Sequence, residues 1–284
     1  MTEADVSLGD LVADAGQMLA AARIPEPRRE ALRLWSDLVE TSPMDAILGR
    51  RAPVSAEQVA AFLAAVERRA GGEPLAYVSG RAGFRRLTLA VDCRVLIPRP
   101  ETEGLVDLVL NRAPRGIVVD VCTGSGCIAL SLVDEGRYDR VLGVDLSGEA
   151  LAVAAGNARR TGLPVALLRG DLTVPLGAAS VDALVANPPY IASAEYAALD
   201  PSVRDWEPSM ALVGGPDGLD VTRRLLDDGR RVVTPGGWIA LELDATRAEA
   251  TASLAGAYGW QGVTIHPDLF GRERYLLAQR SEIP

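Results

Sequence analysis

A chain of 284 residues, 48% hydrophobic and 24% charged, can bury one large core or a small one plus a medium one, as an ordinary globular protein does. Its net charge of -9, with arginine but no lysine, argues against nucleic acid as a partner, because phosphate contacts call for a basic face. No run approaches the roughly 18 apolar residues of a membrane span. The acidic opening Met1-Thr2-Glu3-Ala4-Asp5 is no secretory leader, and Cys93, Cys122 and Cys127 form neither a disulfide framework nor a metal pair, so a reducing cytoplasm is expected.

Residues 7 to 70 carry apolar side chains at helical spacing. Leu8, Leu11, Val12, Met18, Leu19 and Ala22 mark one helix. Ala31, Leu32, Leu34, Leu38 and Val39 mark a second, set off by Pro25 and Pro27. Ser55 and Gln58 form a capping box that opens a third helix, running through Ala70 and ended by Gly71-Gly72. This small bundle lacks clusters of titratable groups and reads as a packing or partner-recognition module. From Gly83 to Ile97 the period falls to two, with Leu87, Leu89 and Val91 alternating against Thr88, Ala90 and Asp92, which predicts a short hairpin. The prolines of Ile97-Pro98-Arg99-Pro100 keep the chain extended until a helix starts near Thr102.

Strands and helices then alternate. Strands are predicted at 117–121, 141–145, 165–168, 181–186 and 238–243, and helices at 126–133, 148–161 and 221–233. Two closing strand-like runs, 262–265 and 274–278, are joined by a loop with Pro267 and Gly271, and His266 is read as part of that loop. The alternation predicts an α/β fold, a doubly wound and mainly parallel sheet closed by an antiparallel hairpin. Ligands of such sheets sit beyond the carboxyl ends of the strands.

Two motifs stand at those ends. Asp120-Val121-Cys122-Thr123-Gly124-Ser125-Gly126 closes one strand and opens a helix, and Asp145 ends the next strand, where a carboxylate can accept both hydrogen bonds of a ribose diol. Asp171, after Gly170, is placed to meet an adenine edge. Gly124-Ser125-Gly126-Cys127-Ile128-Ala129 also fits a dinucleotide fingerprint. An acid at position 120 would repel a pyrophosphate but suits the sulfonium and amino group of S-adenosylmethionine, and taken with the Asn-Pro-Pro-Tyr motif it favours a methyltransferase over an NAD-dependent oxidoreductase, which stays open as an alternative. The second motif, Asn187-Pro188-Pro189-Tyr190, follows the apolar run 181–186. Its prolines remove backbone donors, so the turn presents carbonyls, an amide oxygen and an aromatic plate, a set suited to holding a planar NH2 group. An exocyclic base amine, a glutamine amide of a protein such as a ribosomal one, and a small-molecule amine all satisfy that description.

The ordered set of motifs resembles the glutamine-N5 methyltransferases that modify class I peptide chain release factors in bacteria. The similarity runs through Gly72-Glu73-Pro74-Leu75-Ala76-Tyr77, Ile97-Pro98-Arg99-Pro100-Glu101-Thr102-Glu103, Thr123-Gly124-Ser125-Gly126, Asn187-Pro188-Pro189-Tyr190-Ile191 and Asp217-Gly218-Leu219-Asp220, with Pro27-Arg28-Arg29-Glu30-Ala31 in the helical part. It implies a helical substrate-recognition domain over 1–74, a β-hairpin linker over 75–100 and an S-adenosylmethionine-dependent methyltransferase domain over 101–284 with a seven-stranded Rossmann-like sheet. It implies a protein substrate, the glutamine of a release factor's Gly-Gly-Gln loop, with no direct contact to nucleic acid or membrane. By the same resemblance Cys122 to Gly126 contact the methionine part of the cofactor, Asp145 holds the ribose, Asp171 and Leu172 flank the adenine, and Asn187 to Tyr190 hold the glutamine amide. Arg99, Thr102 and Glu103 stand either at the cofactor entrance or in a rigid linker. One position departs from the family pattern: glycine is frequent where this chain has Cys122, so a left-handed backbone there would strain the cysteine.

Overall fold

The computed structural model describes residues 7–50, 53–113 and 115–282; the acidic opening segment lies outside them. The chain forms two compact units, one of Met1–Arg81 with Pro201–Trp206, the other of Ala82–Asp200 with Glu207–Pro284. The stretch 75–100 is thereby divided between them.

The first unit is helical. Its elements are α1 (Leu8–Ala21), α2 (Pro27–Leu38), α3 (Pro43–Leu48), α4 (Ala56–Ala70) and α5 (Leu75–Ser79). Ser7, Ser42 and Ser55 each cap a helix by accepting from a backbone N–H, and the Ser55–Gln58 box makes both of its bonds. The apolar stripes meet in a core of Leu11, Leu19, Leu34, Trp35, Phe62 and Val66, where Trp35 and Phe62 stack edge to face at 5.5 Å. The short α3 and α5 have too few turns to show a period in sequence.

A two-stranded sheet, β1 (Arg81–Phe84) and β2 (Leu87–Ala90), opens the second unit apart from its first residue, Arg81, and turns at Arg85-Arg86. This is earlier than the alternation over 83–97 suggested, and the chain beyond Ala90 reaches α6 (Thr102–Arg112) without forming a strand. There follow β3 (Ile117–Val121), α7 (Cys127–Glu135), β4 (Arg140–Asp145), α8 (Gly148–Thr161), β5 (Ala166–Arg169) and β6 (Val181–Ala186). After α9 (Pro201–Arg204), which belongs to the helical unit, come α10 (Asp220–Val232), β7 (Val233–Glu242), α11 (Ala248–Ala257), β8 (Gln261–Pro267) and β9 (Glu273–Gln279). His266 therefore lies in a strand, opposite Tyr275, and not in a loop; Pro267 misleads because it stands at the strand's last residue.

The seven-stranded sheet runs β5-β4-β3-β6-β7-β9-β8. Its first five strands are parallel and β9 is antiparallel to both neighbours. Alternate residues face opposite layers: Val119, Val121, Leu184, Ile239 and Leu241 join the core that includes Leu225 and Leu226 of α10, while Val118, Val185 and Ala240 join the core with Leu105 of α6 and Ile128 of α7. From β3 the chain winds one way through β4 and β5, then returns to β6 on the other side. The direction thus reverses between β3 and β6, the point at which a doubly wound sheet leaves a crevice for ligand.

Candidate active site

Parallel pairing of Val121 with Val144 and with Ala186 brings three strand ends level, so the segments following β3, β4 and β6 emerge side by side. A cavity of about 540 Å³ opens there, within the range of small-molecule sites. Its wall includes Cys122 and Gly124 from the first segment, Asp145, Asp171 and Leu172 from the next two, and Asn187 and Pro189 from the last. Val144, Met210 and Val221 add apolar surface to the wall.

The glycine loop gives its donors to the protein itself. Asp145, in the cavity wall, accepts from the Gly124 N–H through Oδ2 and from the Ser147 N–H through Oδ1, both at 2.9 Å, which leaves each oxygen further acceptor capacity. The Gly126 N–H goes to the Thr123 carbonyl at 2.8 Å. Asp120 shares the sheet face of Val118 and is fully buried against α7, where Oδ2 accepts from Thr123 Oγ1 at 2.6 Å and from the Ala129 N–H at 3.2 Å. Its Oδ1 has no partner among the described residues. Burial lifts the Asp120 carboxyl to about 7; the bonds from Thr123 and Ala129 pull it down and the nearby Asp145 adds to the rise.

Asp120, Thr123, Ser125 and Gly126 stand behind the cavity wall and not in it. Ser125 is held from behind, its carbonyl accepting from the buried Asn157 Nδ2 at 2.9 Å, a support that sequence reasoning missed. Cys122 does take a left-handed backbone, at φ 64°, the conformation that makes glycine the favoured residue. Partial burial and the carboxylates of Asp145, Asp120 and Asp171 raise its thiol above the usual cysteine range. Leu172 is also left-handed, at φ 51°. Asp171 pairs with Arg224 at 2.6 Å. The two arginines of the wall are both engaged by acids, Arg224 by Asp171 and Arg94 by Asp92.

The segment after β6 is braced by the loop that follows it. Ile191 bridges in parallel to Val213, the Ile191 N–H donates to the Leu212 carbonyl, and the Gly214 N–H donates to the Ile191 carbonyl. A Cβ at Gly214 would stand 2.4 Å from the Pro189 oxygen, and one at Gly218 (φ 78°) would stand 2.3 Å from the Tyr190 oxygen. The backbone approach is too close for any side chain, which explains two glycines of the Gly214–Asp220 stretch. Of the four motif residues, Asn187 and Pro189 line the cavity, Pro188 is buried, and Tyr190 turns its hydroxyl toward Glu242 Oε1 at 3.4 Å.

Arg99, Thr102 and Glu103 are not in the cavity wall. Arg99 pairs with the buried Glu207, which also accepts from the Ile97 N–H, and Glu103 accepts from the Arg85 N–H at 2.8 Å. Thr102, 2% exposed, accepts from Asn187 Nδ2 at 3.1 Å. Glu242 ends β7 on the same sheet face as Asp120 and is 1% exposed. Burial raises it to about 7, against the lowering effect of Thr102, Arg274 and Tyr190. Sequence reasoning passed over Glu242; an acid at the carboxyl end of an apolar strand run was the available signal.

A doubly wound sheet of this strand order, with acids behind and beside a glycine loop and a donor-poor Asn-Pro-Pro-Tyr turn at the switch point, defines a Rossmann-like methyltransferase. Residues 10–80 match the family described as PrmC N-terminal domain, and residues 101–200 match the methyltransferase small domain. The chain is 41% identical to the release factor glutamine methyltransferase of Moorella thermoacetica, over 98% of this chain and 100% of that one. It is 37% identical to the protein of the same name from Streptomyces coelicolor, over 95% and 97%. Among solved structures, a methyltransferase from Pyrococcus furiosus matches its fold with a TM-score of 0.53 at 19% identity, covering 68% of this chain and 88% of that one. The chain belongs to the release factor glutamine methyltransferase family.

Proposed function

We propose that this methyltransferase transfers a methyl group from S-adenosylmethionine to the side-chain amide nitrogen of the glutamine in the Gly-Gly-Gln loop of class I release factors. The observation that carries this reading is the sharing of one cavity wall by Asp145 and by Asn187 with Pro189. The residues present fit the donor. A buried acid with one unpartnered oxygen backs the loop where positive charge would lie, Asp145 keeps acceptor capacity for a diol, and the apolar surface of Val144, Met210 and Val221 suits a flat base. A pyrophosphate fits less well: the Gly124 and Gly126 N–H groups are bonded to Asp145 and the Thr123 carbonyl, the Ala129 N–H to Asp120, and both wall arginines are paired.

When bound, S-adenosylmethionine supplies a methyl group on a cationic sulfur. The chain's own residues prepare the acceptor. An amide nitrogen is a weak nucleophile because its lone pair is delocalised into the carbonyl. Asn187 Oδ1 and the Pro188 carbonyl accept its two N–H groups, fix the nitrogen and raise its electron density, and Tyr190 packs on the amide plane. Orientation of this kind contributes about 7–11 kcal/mol in well-aligned reactions. The N-terminal helical unit recognises the protein substrate.

The test is mass spectrometry of a recombinant class I release factor incubated with this protein and isotopically labelled S-adenosylmethionine. One labelled methyl group on the Gly-Gly-Gln glutamine is the expected result. Label on another residue, or only on DNA or a ribosomal protein offered in parallel, would overturn the substrate assignment.

A further inference from the structure

We propose that Arg247 is a positioning residue for the transfer: through Glu195 and the Asp217-Gly218 turn it ties down the chain leaving Asn187-Pro188-Pro189-Tyr190, and so keeps the acceptor turn in its working geometry. The inference rests on the amide-clamp reading above. Pro188 and Pro189 supply no backbone donor, so the turn cannot be fastened through N–H groups of its own prolines. The residues after it must do that work. The Ile191 and Ser193 N–H groups donate to the Leu212 and Gly215 carbonyls, both at 2.9 Å, which joins the segment to the loop ahead of α10. That loop needs an anchor in turn, or the two would move together.

Arg247, at the start of α11, is the anchor. Its guanidinium meets three separate segments. Nε donates to the Asp217 carbonyl at 2.7 Å, Nη2 donates to both oxygens of Glu195 at 2.9 and 2.8 Å, and Nη1 lies 3.3 Å from Asp244 Oδ1 just past β7. Glu195 passes the tether on: its Oε2 accepts from the Ala192 N–H at 3.1 Å, two residues beyond Tyr190. An exposed ion pair does little by itself. Here the Arg247 side chain is only 13% exposed, and its rigid fork serves all three segments at once, which a lysine ammonium would not reproduce.

Gly218 is the socket where these groups meet. A Cβ there would stand 2.3 Å from the Tyr190 oxygen, 2.8 Å from Arg247 Nε and 3.2 Å from the Ala192 nitrogen. Asp217 fixes the turn from its other side, accepting from the Leu219 N–H at 3.1 Å and pairing with Arg223. The Asp217-Gly218 motif therefore gains a role: it lets Arg247 and the backbone leaving the acceptor turn come together. Neither Arg247 nor Glu195 lines the cavity, so both act through the turn.

The experiment measures Arg247→Ala, Glu195→Gln and the double variant on a recombinant class I release factor at saturating S-adenosylmethionine. In Arg247→Ala kcat should fall about tenfold to hundredfold, the scale of a misplaced contact. KM for the release factor and S-adenosylhomocysteine affinity by calorimetry should hold. Guanidinium at sub-denaturing concentration should restore part of the lost rate where equal sodium chloride does not; a loss of stability would only worsen, because that ion weakens folding. Glu195→Gln should show a smaller fall, and the double variant should be no slower than Arg247→Ala, the tether being already cut. Wild-type kcat in Arg247→Ala, a loss confined to KM, or strictly additive losses would overturn the proposal. If Arg247→Ala does not fold, the half-exposed Glu195 decides: lowered kcat at constant KM supports the tether, and unchanged kcat removes it. Full turnover in Asn187→Ala would defeat the amide clamp and the tether together, whereas an inactive Asn187→Ala beside a normal Arg247→Ala defeats the tether alone.

Discussion

The ends of β3 and β6 flank one crevice and treat their backbone donors in opposite ways. After β3 several N–H groups are present but occupied: Gly124 donates to Asp145, Gly126 to the Thr123 carbonyl, and Ala129 to Asp120. After β6 two of them are removed, because Pro188 and Pro189 have none. Both routes leave a crevice rich in acceptors, one lining suited to a cation and the other to an amide. Both ends are also backed by a buried acid on the same face of the sheet, Asp120 beside Thr123 and Glu242 beside Tyr190. The lesson is that acceptor character here is built by subtracting and spending donors more than by adding charge.

The sharpest way to break the comparison is to remove the acceptor on the β6 side alone. Asn187→Ala should cut turnover at least about a hundredfold, the loss expected of a positioning contact. Cofactor affinity should survive, because the residues proposed to meet ribose and adenine, Asp145 and Asp171, end or follow other strands. Calorimetry with S-adenosylhomocysteine beside single-turnover kinetics separates the two. The complementary change on the β4 side, Asp145→Ala, should weaken cofactor binding about tenfold to hundredfold through loss of charge-assisted bonds. It also frees the Gly124 and Ser147 N–H groups. Unchanged affinity would remove Asp145 from the ribose site.

These two residues were legible in sequence for the same reason: each ends an apolar strand run, and β3, β6 and α8 fall on the residues that the runs marked. Other elements were hidden for physical reasons. The strand β7 begins at Val233, ahead of Pro235-Gly236-Gly237, which reads as a turn; the structure absorbs these residues as an irregularity between the Val181–Val233 and Ala183–Trp238 pairs. Helix α11, Ala-Glu-Ala-Thr-Ala-Ser-Leu-Ala-Gly-Ala, has little apolar contrast between its faces, and only packing of Ala248 and Ala255 reveals one. Thr102 and Glu242 were hidden more deeply. Their meaning lies in meeting Asn187 and Tyr190 across 85 and 52 residues of chain, and no local pattern encodes that.

A third prediction concerns the paired acids. Asp120 and Glu242 are both raised to about 7, chiefly by burial. A raised acid holds its proton in the native state after the unfolded chain has lost it, so its contribution to stability is complete below the unfolded value near 4. It is lost as pH climbs through 7, by on the order of 1 kcal/mol per pH unit for each group. Urea midpoints should therefore decline from about pH 5 to pH 7, against the trend for paired surface acids such as Asp92 and Glu135, which are lowered by Arg94 and Arg85. Asp120→Asn should remove its share of that slope, and a slope untouched by the substitution would show that Asp120 is ionised throughout.

The smallest expected effect lies at Cys122. Its left-handed φ of 64° costs about 1–2 kcal/mol for a residue with a Cβ, whereas glycine pays no such penalty but loses roughly 0.5–1 kcal/mol more chain entropy on folding. The difference of those two terms is about 0 to 1.5 kcal/mol in favour of glycine, and losing the cysteine's packing against the core takes part of it back, so Cys122→Gly should raise stability slightly, by less than about 1.5 kcal/mol in urea unfolding. Its thiol is shifted upward by partial burial and by three carboxylates, away from the thiolate form. What changes is the stiffness of the cavity wall. If the cysteine serves to restrict the loop, the glycine variant will be more stable yet bind S-adenosylhomocysteine more weakly. Equal affinity would mean that Gly124 N–H, Asp145 and Thr123 already fix the loop, and that its shape is set by the spending of donors rather than by the residue at position 122.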